Sequence, residues 1–190
     1  MVTLLALLTT WGGAASSDPA PSASPPAPPS LSPTLKNAAL HSPVPGGILG
    51  GWAGDTGLDV SASFRPVHAI AAGTLDYSEP GHTLWTRGKD TPNSVRIKLD
   101  SPIAWKDHRI THVYYTHLSR LETLQREGDE AKKHVEAGEK IGTSGIGNGV
   151  PHLHIGLLLD DRVLQDTWDS LLVEGDVRKV FGGYRNGERI

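Results

Sequence analysis

Residues 94–99 read Ser-Val-Arg-Ile-Lys-Leu, an uninterrupted alternation of polar and apolar side chains. Successive side chains of a β-strand point to opposite faces, so this period of two predicts a strand that is buried on one side. Ile110–Leu118 is rich in β-branched and aromatic residues and predicts a second strand. Ile103–Ile110 predicts a hairpin that turns around Lys106-Asp107.

Strand-like segments continue on both sides of this hairpin. Short runs between Gly, Pro and Asn residues predict three more strands, at Val67–Ala71, Thr74–Tyr77 and His152–Leu159. Leucines at helical spacing predict a short helix over Ser119–His134, and Asp166–Phe181 predicts one or two helical turns. Short strands with frequent turns predict a mainly β fold, either a sandwich or a barrel.

Two N-terminal segments differ in composition from the rest of the chain. Val2–Leu8 is an apolar run followed by small residues, which is typical of a signal peptide over residues 1–15, although no Lys or Arg precedes it. The run is too short to span a bilayer as a helix. Ser16–Pro45 holds nine of the fourteen prolines and predicts a disordered linker rich in Pro, Ala and Ser. The remaining residues, 46–190, have the size of one domain.

Composition restricts the chemistry that the chain can perform. With no Cys, the chain has neither disulfides nor Cys-ligated zinc. A formal net charge of −3 argues against a nucleic-acid partner, because such proteins present strongly basic surfaces. Any metal site has to be built from His, Asp and Glu, and nine His are present.

Three clusters carry residue types suited to metal chemistry. They are residues 55–59 (Asp-Thr-Gly-Leu-Asp), 114–118 (Tyr-Tyr-Thr-His-Leu) and 149–154 (Gly-Val-Pro-His-Leu-His). On a strand, His152 and His154 project from one face with their Cα atoms about 6.8 Å apart. One imidazole can then bind a metal while the other reaches a substrate, and Asp59 would add an oxygen ligand. A zinc ion held by three protein groups keeps a position for water and lowers the pKa of that water toward about 7.

Five segments between Gly51 and Leu159 together resemble a known family. They are residues 55–60 (Asp-Thr-Gly-Leu-Asp-Val), 67–75 (Val-His-Ala-Ile-Ala-Ala-Gly-Thr-Leu), 115–119 (Tyr-Thr-His-Leu-Ser), 135–142 (Val-Glu-Ala-Gly-Glu-Lys-Ile-Gly) and 149–154. Their order is similar to that of the lysostaphin/LytM-type zinc metallopeptidases. The closing Pro-His-Leu-His after a glycine-rich turn is the most informative of these signals.

The resemblance implies a two-layer antiparallel β fold of the sandwich or barrel type, with a groove and short helices. It implies a zinc-dependent endopeptidase that cuts peptidoglycan peptides or cross-bridges, exported to the periplasm or cell exterior. It also implies roles for four residues: Asp59 and His154 as metal ligands, and His117 and His152 as catalytic histidines. Peptidoglycan, and in some cases another wall hydrolase, is the implied partner.

One position departs from the family pattern, which opens His-x-Gly-x-Asp where this chain has Asp55. In one interpretation Asp55 itself binds zinc together with Asp59 and His154, and the extra anionic ligand weakens the activation of water. In a second, His82 substitutes for the missing His. In a third the metal is absent, and a catalytically degenerate domain binds peptidoglycan or activates another hydrolase.

The five tryptophans allow a further alternative, a carbohydrate-binding β-sandwich in which aromatic faces stack on sugars. This alternative requires Trp85 and Trp105 to be exposed together. For the peptidase, one of His117 and His152 takes or relays a proton and the other donates a hydrogen bond to the oxyanion. The sequence leaves open which histidine has which role.

Overall fold

The computed structural model describes residues 34–83, 88–163 and 168–190, with the Trp168 side chain left out. Within these residues the chain forms nine strands, one 3-10 turn and one helix. They are β1 (Ile48–Gly50), β2 (Leu58–Ser61), β3 (Pro66–His68), β4 (Gly73–Pro80), β5 (Asn93–Trp105), β6 (His108–Leu121), β7 (His134–Val135), β8 (Lys140–Gly147), β9 (Val150–Leu159), the 3-10 turn Trp168–Ser170 and α1 (Glu174–Val180). The predicted signal peptide, residues 1–15, lies outside the described residues.

The described strands belong to one antiparallel sheet in the order β1-β2-β9-β8-β6-β5-β4-β7, with β3 paired to β8. The prediction of a mainly antiparallel β fold is therefore confirmed. The predicted hairpin is confirmed as well, because Trp105 pairs with His108 across the turn. Lys106 adopts the left-handed region there, with a φ of 51°. In the described residues, no helix is long and apolar enough to cross a membrane.

Strand β6 is the centre of the sheet. Ile110–Thr116 pairs with β9, whereas Leu118–Leu121 pairs with β8, and β5 lies along the other edge. Because β8 and β9 also pair with each other, this branching lets one sheet fold around a common core. Every residue from Ile110 to Leu118 is buried, as expected for a central strand covered on both faces.

The segment at residues 94–99 is buried on both faces more fully than its alternation of polar and apolar residues predicts. Val95 and Ile97 are buried in the core as expected, but the polar residues Ser94 and Arg96 are buried too. Only Lys98 of the polar set faces solvent. Arg96 is buried because the Asp76 carboxylate of β4 accepts a hydrogen bond from its Nε atom over 3.0 Å.

The predicted helix over residues 119–134 is wrong. Strand β6 continues to Leu121, and a loop follows in which the Gln125 and Ser78 backbones hydrogen-bond in both directions over 2.8 and 3.0 Å. The leucine spacing misleads because Leu124 is exposed and has no apolar surface to cover. The helical turns predicted near the C-terminus are confirmed by the 3-10 turn and α1.

The prediction of a disordered linker over residues 16–45 is wrong for its described part, residues 34–45. Three apolar side chains of this segment, Leu35, Leu40 and Val44, are buried in the main core. The backbone is also fixed, because the His41 amide donates to the Ile70 carbonyl over 2.8 Å. The proline-rich composition does not reveal these contacts, because the three apolar side chains are buried only against the folded sheet.

A buried charge network joins β4, β5 and β6. The Asp76 carboxylate contacts Arg96 at 3.0 Å, His112 at 3.3 Å and Lys132 at 3.3 Å. Burial raises the pKa of the Asp76 carboxyl, but the hydrogen bonds from His112 and Arg96 outweigh burial and hold that pKa well below its usual range. The network therefore depends on an ionised Asp76.

We expect Asp76→Asn to lower the free energy of unfolding by about 2 kcal/mol at pH 7, because buried Arg96 and His112 lose the carboxylate that they share, although Arg96 keeps its contact with Glu127. Since the folded pKa of Asp76 lies below its unfolded value, this contribution is complete above about pH 4 and is lost as the pH falls through the folded pKa. Urea unfolding at pH 7 and pH 3 measures both effects. The matched control Asp100→Asn, in an exposed pair with His134, should change little. Equal losses in the two variants would contradict the prediction.

Candidate metal centre

Three neighbouring strands bring the candidate ligands together. Asp59 of β2 is the register partner of His154 on β9, and His154 is in turn the partner of Thr116 on β6. Asp55 lies in the loop that leads into β2. A ligand atom of Asp55, one of Asp59 and one of His154 all lie within 4.8 Å of one another. The three residues predicted as metal ligands are therefore adjacent in space.

The His154 ring is held at both nitrogens. Its Nδ1 atom lies 2.9 Å from Asp59 Oδ1, and its Nε2 atom lies 2.8 Å from the Thr56 carbonyl oxygen. Both partners are acceptors, so a ring that carries a proton on each nitrogen satisfies both contacts. Ligation of a metal by His154 requires a ring nitrogen that carries no proton.

The pKa directions agree with this ion pair. Burial lowers the pKa of His154, but the hydrogen bond and charge of Asp59 outweigh burial and raise that pKa above its ordinary value. Burial raises the pKa of the Asp59 carboxyl, but the hydrogen bond and charge of His154 outweigh it and lower that pKa. Asp59 is therefore an anion, which is the form that binds a cation.

The donor set fits a zinc ion. Zinc accepts imidazole nitrogen and carboxylate oxygen, and the cluster offers one His and two Asp side chains. The backbone leaves room beside the ring, because a Cβ atom on Gly57 would lie 2.6 Å from His154 Nε2. Gly57 also has a φ of 109°, a conformation that side chains rarely adopt. Asp55, Asp59 and His154 are thus the residues that could hold the metal.

The two predicted catalytic histidines lie beside this cluster. The ring centroids of His117 and His152 are 5.0 Å apart, and those of His117 and His154 are 6.3 Å apart. His152 Nε2 lies 3.6 Å from Asp59 Oδ1, and its Nδ1 lies 2.9 Å from the Val150 carbonyl. That carbonyl is an acceptor, so Nδ1 donates this hydrogen bond.

His117 has an unusual environment. Burial, followed by the proximity of His152 and His154, lowers the pKa of His117 to about 4, so this ring is neutral at physiological pH. Its Nδ1 atom is buried and has no hydrogen-bond partner among the described residues. A buried polar atom without a partner is rare, and such atoms are found at functional sites. The ring is thus able to form a hydrogen bond that the folded chain itself does not supply.

The other residues that the sequence singled out are not part of this cluster. His82 stacks on Tyr77 with ring centroids 4.0 Å apart, and its Nε2 atom lies 2.9 Å from Glu79 Oε1, so it does not join the cluster of three ligands among the described residues. Trp105 is half-buried against the core, and Trp85 lies outside the described residues. Gly57 was not among the residues predicted for the site, although a Gly between two acidic candidates is a usable signal.

No family model matches the chain, and no curated protein sequence matches it. Solved structures of similar fold do exist, and several of them are lysostaphin or M23 peptidases.

The antimicrobial peptidase lysostaphin from Staphylococcus simulans is 24% identical over 74% of this chain and 52% of that chain, with a TM-score of 0.48. A mutant catalytic domain of the prophage-encoded M23 protein EnpA from Enterococcus faecalis is 23% identical over 59% of this chain and 80% of that chain, with a TM-score of 0.40. A zinc-containing peptidase from Vibrio cholerae is 18% identical over 68% of this chain and 37% of that chain, with a TM-score of 0.37. The chain thus spans about half the length of that lysostaphin structure. The assignment of a function rests on the side chains of the site.

Gly147 provides a direct test of how His117 is packed. A Cβ atom at Gly147 would lie 2.4 Å from the His117 ring, which is too close for both to stay in place. We expect Gly147→Ala to displace the ring and to cost about 1–3 kcal/mol of stability, as overpacking does. Thermal unfolding and the NMR signals of the His117 ring measure the two effects. Gly50→Ala is the matched control, because a Cβ there meets nothing within 4 Å. Unchanged His117 signals in Gly147→Ala would contradict the packing.

Proposed function

We propose that this protein is a zinc-dependent endopeptidase. The observation that carries the proposal is the convergence of Asp55, Asp59 and His154, with ligand atoms within 4.8 Å of one another, next to two further histidines. A structural His–Asp pair alone would not need a second and a third imidazole at this distance. Hydrolysis of a peptide, in contrast, needs groups that move protons beside the electrophile.

The zinc ion and the two histidines have different roles in the proposed hydrolysis. Bound zinc would supply Lewis acidity, which polarises the scissile carbonyl and makes a water molecule more nucleophilic. His152 accepts a proton at Nε2, because the Val150 carbonyl holds the other proton at Nδ1. His117 is neutral and lies beside His152, so we assign to it the hydrogen bond to the oxyanion of the tetrahedral intermediate.

The substrate class that we propose is peptidoglycan, through its peptides or cross-bridges. The support is the set of family-like segments, which includes Tyr-Thr-His-Leu-Ser at residues 115–119 and Pro-His-Leu-His at residues 151–154. An exported location follows from the signal-like residues 1–15. Export brings the site to the compartment in which this substrate is found.

Metal content together with digestion tests the proposal. We expect the purified chain, loaded with zinc and freed of excess metal, to hold one zinc ion and to release peptides from purified peptidoglycan. His154→Ala should lose the zinc, because it removes the only nitrogen ligand of the cluster. His82→Ala is the matched control and should keep its zinc, since that ring contacts Glu79. Full zinc occupancy in His154→Ala would contradict the ligand assignment.

Two other results would point to a different ligand or to a different function. Loss of zinc in His82→Ala would support His82 as the substitute ligand. A wild-type chain that binds peptidoglycan without zinc and without peptide release would support the degenerate, non-enzymatic domain.

Asp55 is tested by the substitution that gives the family pattern. We expect Asp55→His to bind zinc and to hydrolyse peptidoglycan faster than wild type, because a neutral ligand leaves more positive charge on the metal to activate water. Asp55→Ala should bind zinc more weakly than both. The two measurements are zinc affinity by competition with a chelator and the initial rate of peptide release. A rate for Asp55→His equal to that of Asp55→Ala would show that position 55 does not contact the metal.

A further inference from the structure

His117 sits at a break in the hydrogen-bonding ladders. The β6–β9 ladder ends at Thr116, opposite His154, and the β6–β8 ladder starts at Leu118, opposite Ser144. His117 therefore belongs to neither register. Its φ of 61° lies in the left-handed region, which is costly for a residue with a side chain. Something outside these two ladders has to hold this conformation.

Thr91 forms a hydrogen bond with the His117 backbone, which the two ladders do not pair. Its Oγ1 atom donates to the His117 carbonyl over 2.8 Å and accepts from the Ile146 amide over 3.1 Å. The Thr91 amide donates to the Ile146 carbonyl over 2.8 Å. One hydroxyl thus joins β6 to β8 at the point where β6 changes partners. Gly145 leaves space for it, because a Cβ atom there would lie 2.2 Å from Oγ1.

The preceding residue holds the strand that carries the second histidine. The two carboxylate oxygens of Asp90 accept hydrogen bonds from the amides of Asn148 and Gly149, each over 3.0 Å. Asn148 and Gly149 have φ values of 52° and 77°, which is typical of the tight turn of a two-residue hairpin. This turn leads directly into β9 and His152. Asp90 and Thr91 are therefore attached to both of the elements that present the histidine pair.

We propose that Thr91 is a positioning residue that sets the orientation of the His117 ring relative to His152, and that Asp90 supports it by fixing the β8–β9 turn. The consequence for catalysis rests on the proposed function. The two rings are 5.0 Å apart, and a small displacement of one of them changes what a shared substrate atom can contact.

Two substitutions at Thr91 separate the hydroxyl from the shape of the side chain. Thr91→Val keeps the branched shape and removes both hydrogen bonds, whereas Thr91→Ser keeps the hydroxyl. With the zinc-loaded full chain and a cross-linked muropeptide dimer as substrate, we expect Thr91→Val to lower kcat about 10- to 100-fold while KM stays within about twofold. Thr91→Ser should restore most of kcat. Equal kcat values in Thr91→Val and wild type, or equal losses in both variants, would overturn the proposal.

A second readout does not depend on activity. In the folded wild type, NMR should show close contacts between the His117 ring protons and the α-protons of Gly147, because the ring lies against that glycine. Thr91→Val should weaken these contacts and leave zinc content unchanged, and Thr91→Ser should keep them. Intact contacts in Thr91→Val overturn the positioning role. An inactive wild type with contacts that depend on Thr91 would refute the proposed function and leave the positioning role standing.

Discussion

The change of partner along β6 is the constraint on which the rest of the structure depends. A strand has two hydrogen-bonding edges, and one edge of β6 serves β5 while the other is divided between β9 and β8. The division allows β8 and β9 to form a hairpin whose arms both touch β6. It also leaves one residue, His117, outside the ladders at the point of division. The candidate site is assembled around that point.

The polar interior of the site follows from this arrangement. His154 is flanked by Asp59 on one neighbouring strand and Thr116 on the other, so its ring approaches a carboxylate that is already fixed in place. Desolvation would disfavour an isolated charge there, but the ion pair offsets that cost, which is why the pKa values of the two groups shift in opposite directions. His117 gains no such partner and stays neutral. The pKa values of the neighbouring His117 and His154 rings are therefore shifted in opposite directions, and the two rings make different hydrogen bonds.

A second buried charge group supports the sheet away from the site. The ion pair of Arg96 and Asp76 lies between β5 and β4 and also contacts His112 of β6. Its side chains link β4, β5 and β6, the three strands that the β4–β5 and β5–β6 ladders join through the backbone. Residues 34–45 cover another part of the core, with Val44 fully buried. The stability of the site thus depends on segments that contain none of the candidate site residues.

The sequence by itself predicted strands that correspond to β3, β4, β5, β6 and β9, the β5–β6 hairpin, and the candidate residues Asp55, Asp59, His117, His152 and His154, whereas β1, β2, β7 and β8 came only from the structure. Side-chain alternation, β-branched runs and the His-x-His spacing are local properties, so they can be read without the fold. Only the tertiary structure decided that residues 122–133 form a loop, that residues 34–45 belong to the core, and that Arg96 is buried. It also revealed Thr91 beside His117. These outcomes depend on which segments meet across the sheet, and the physical reason is that burial and ion pairing are settled by neighbours distant in the chain.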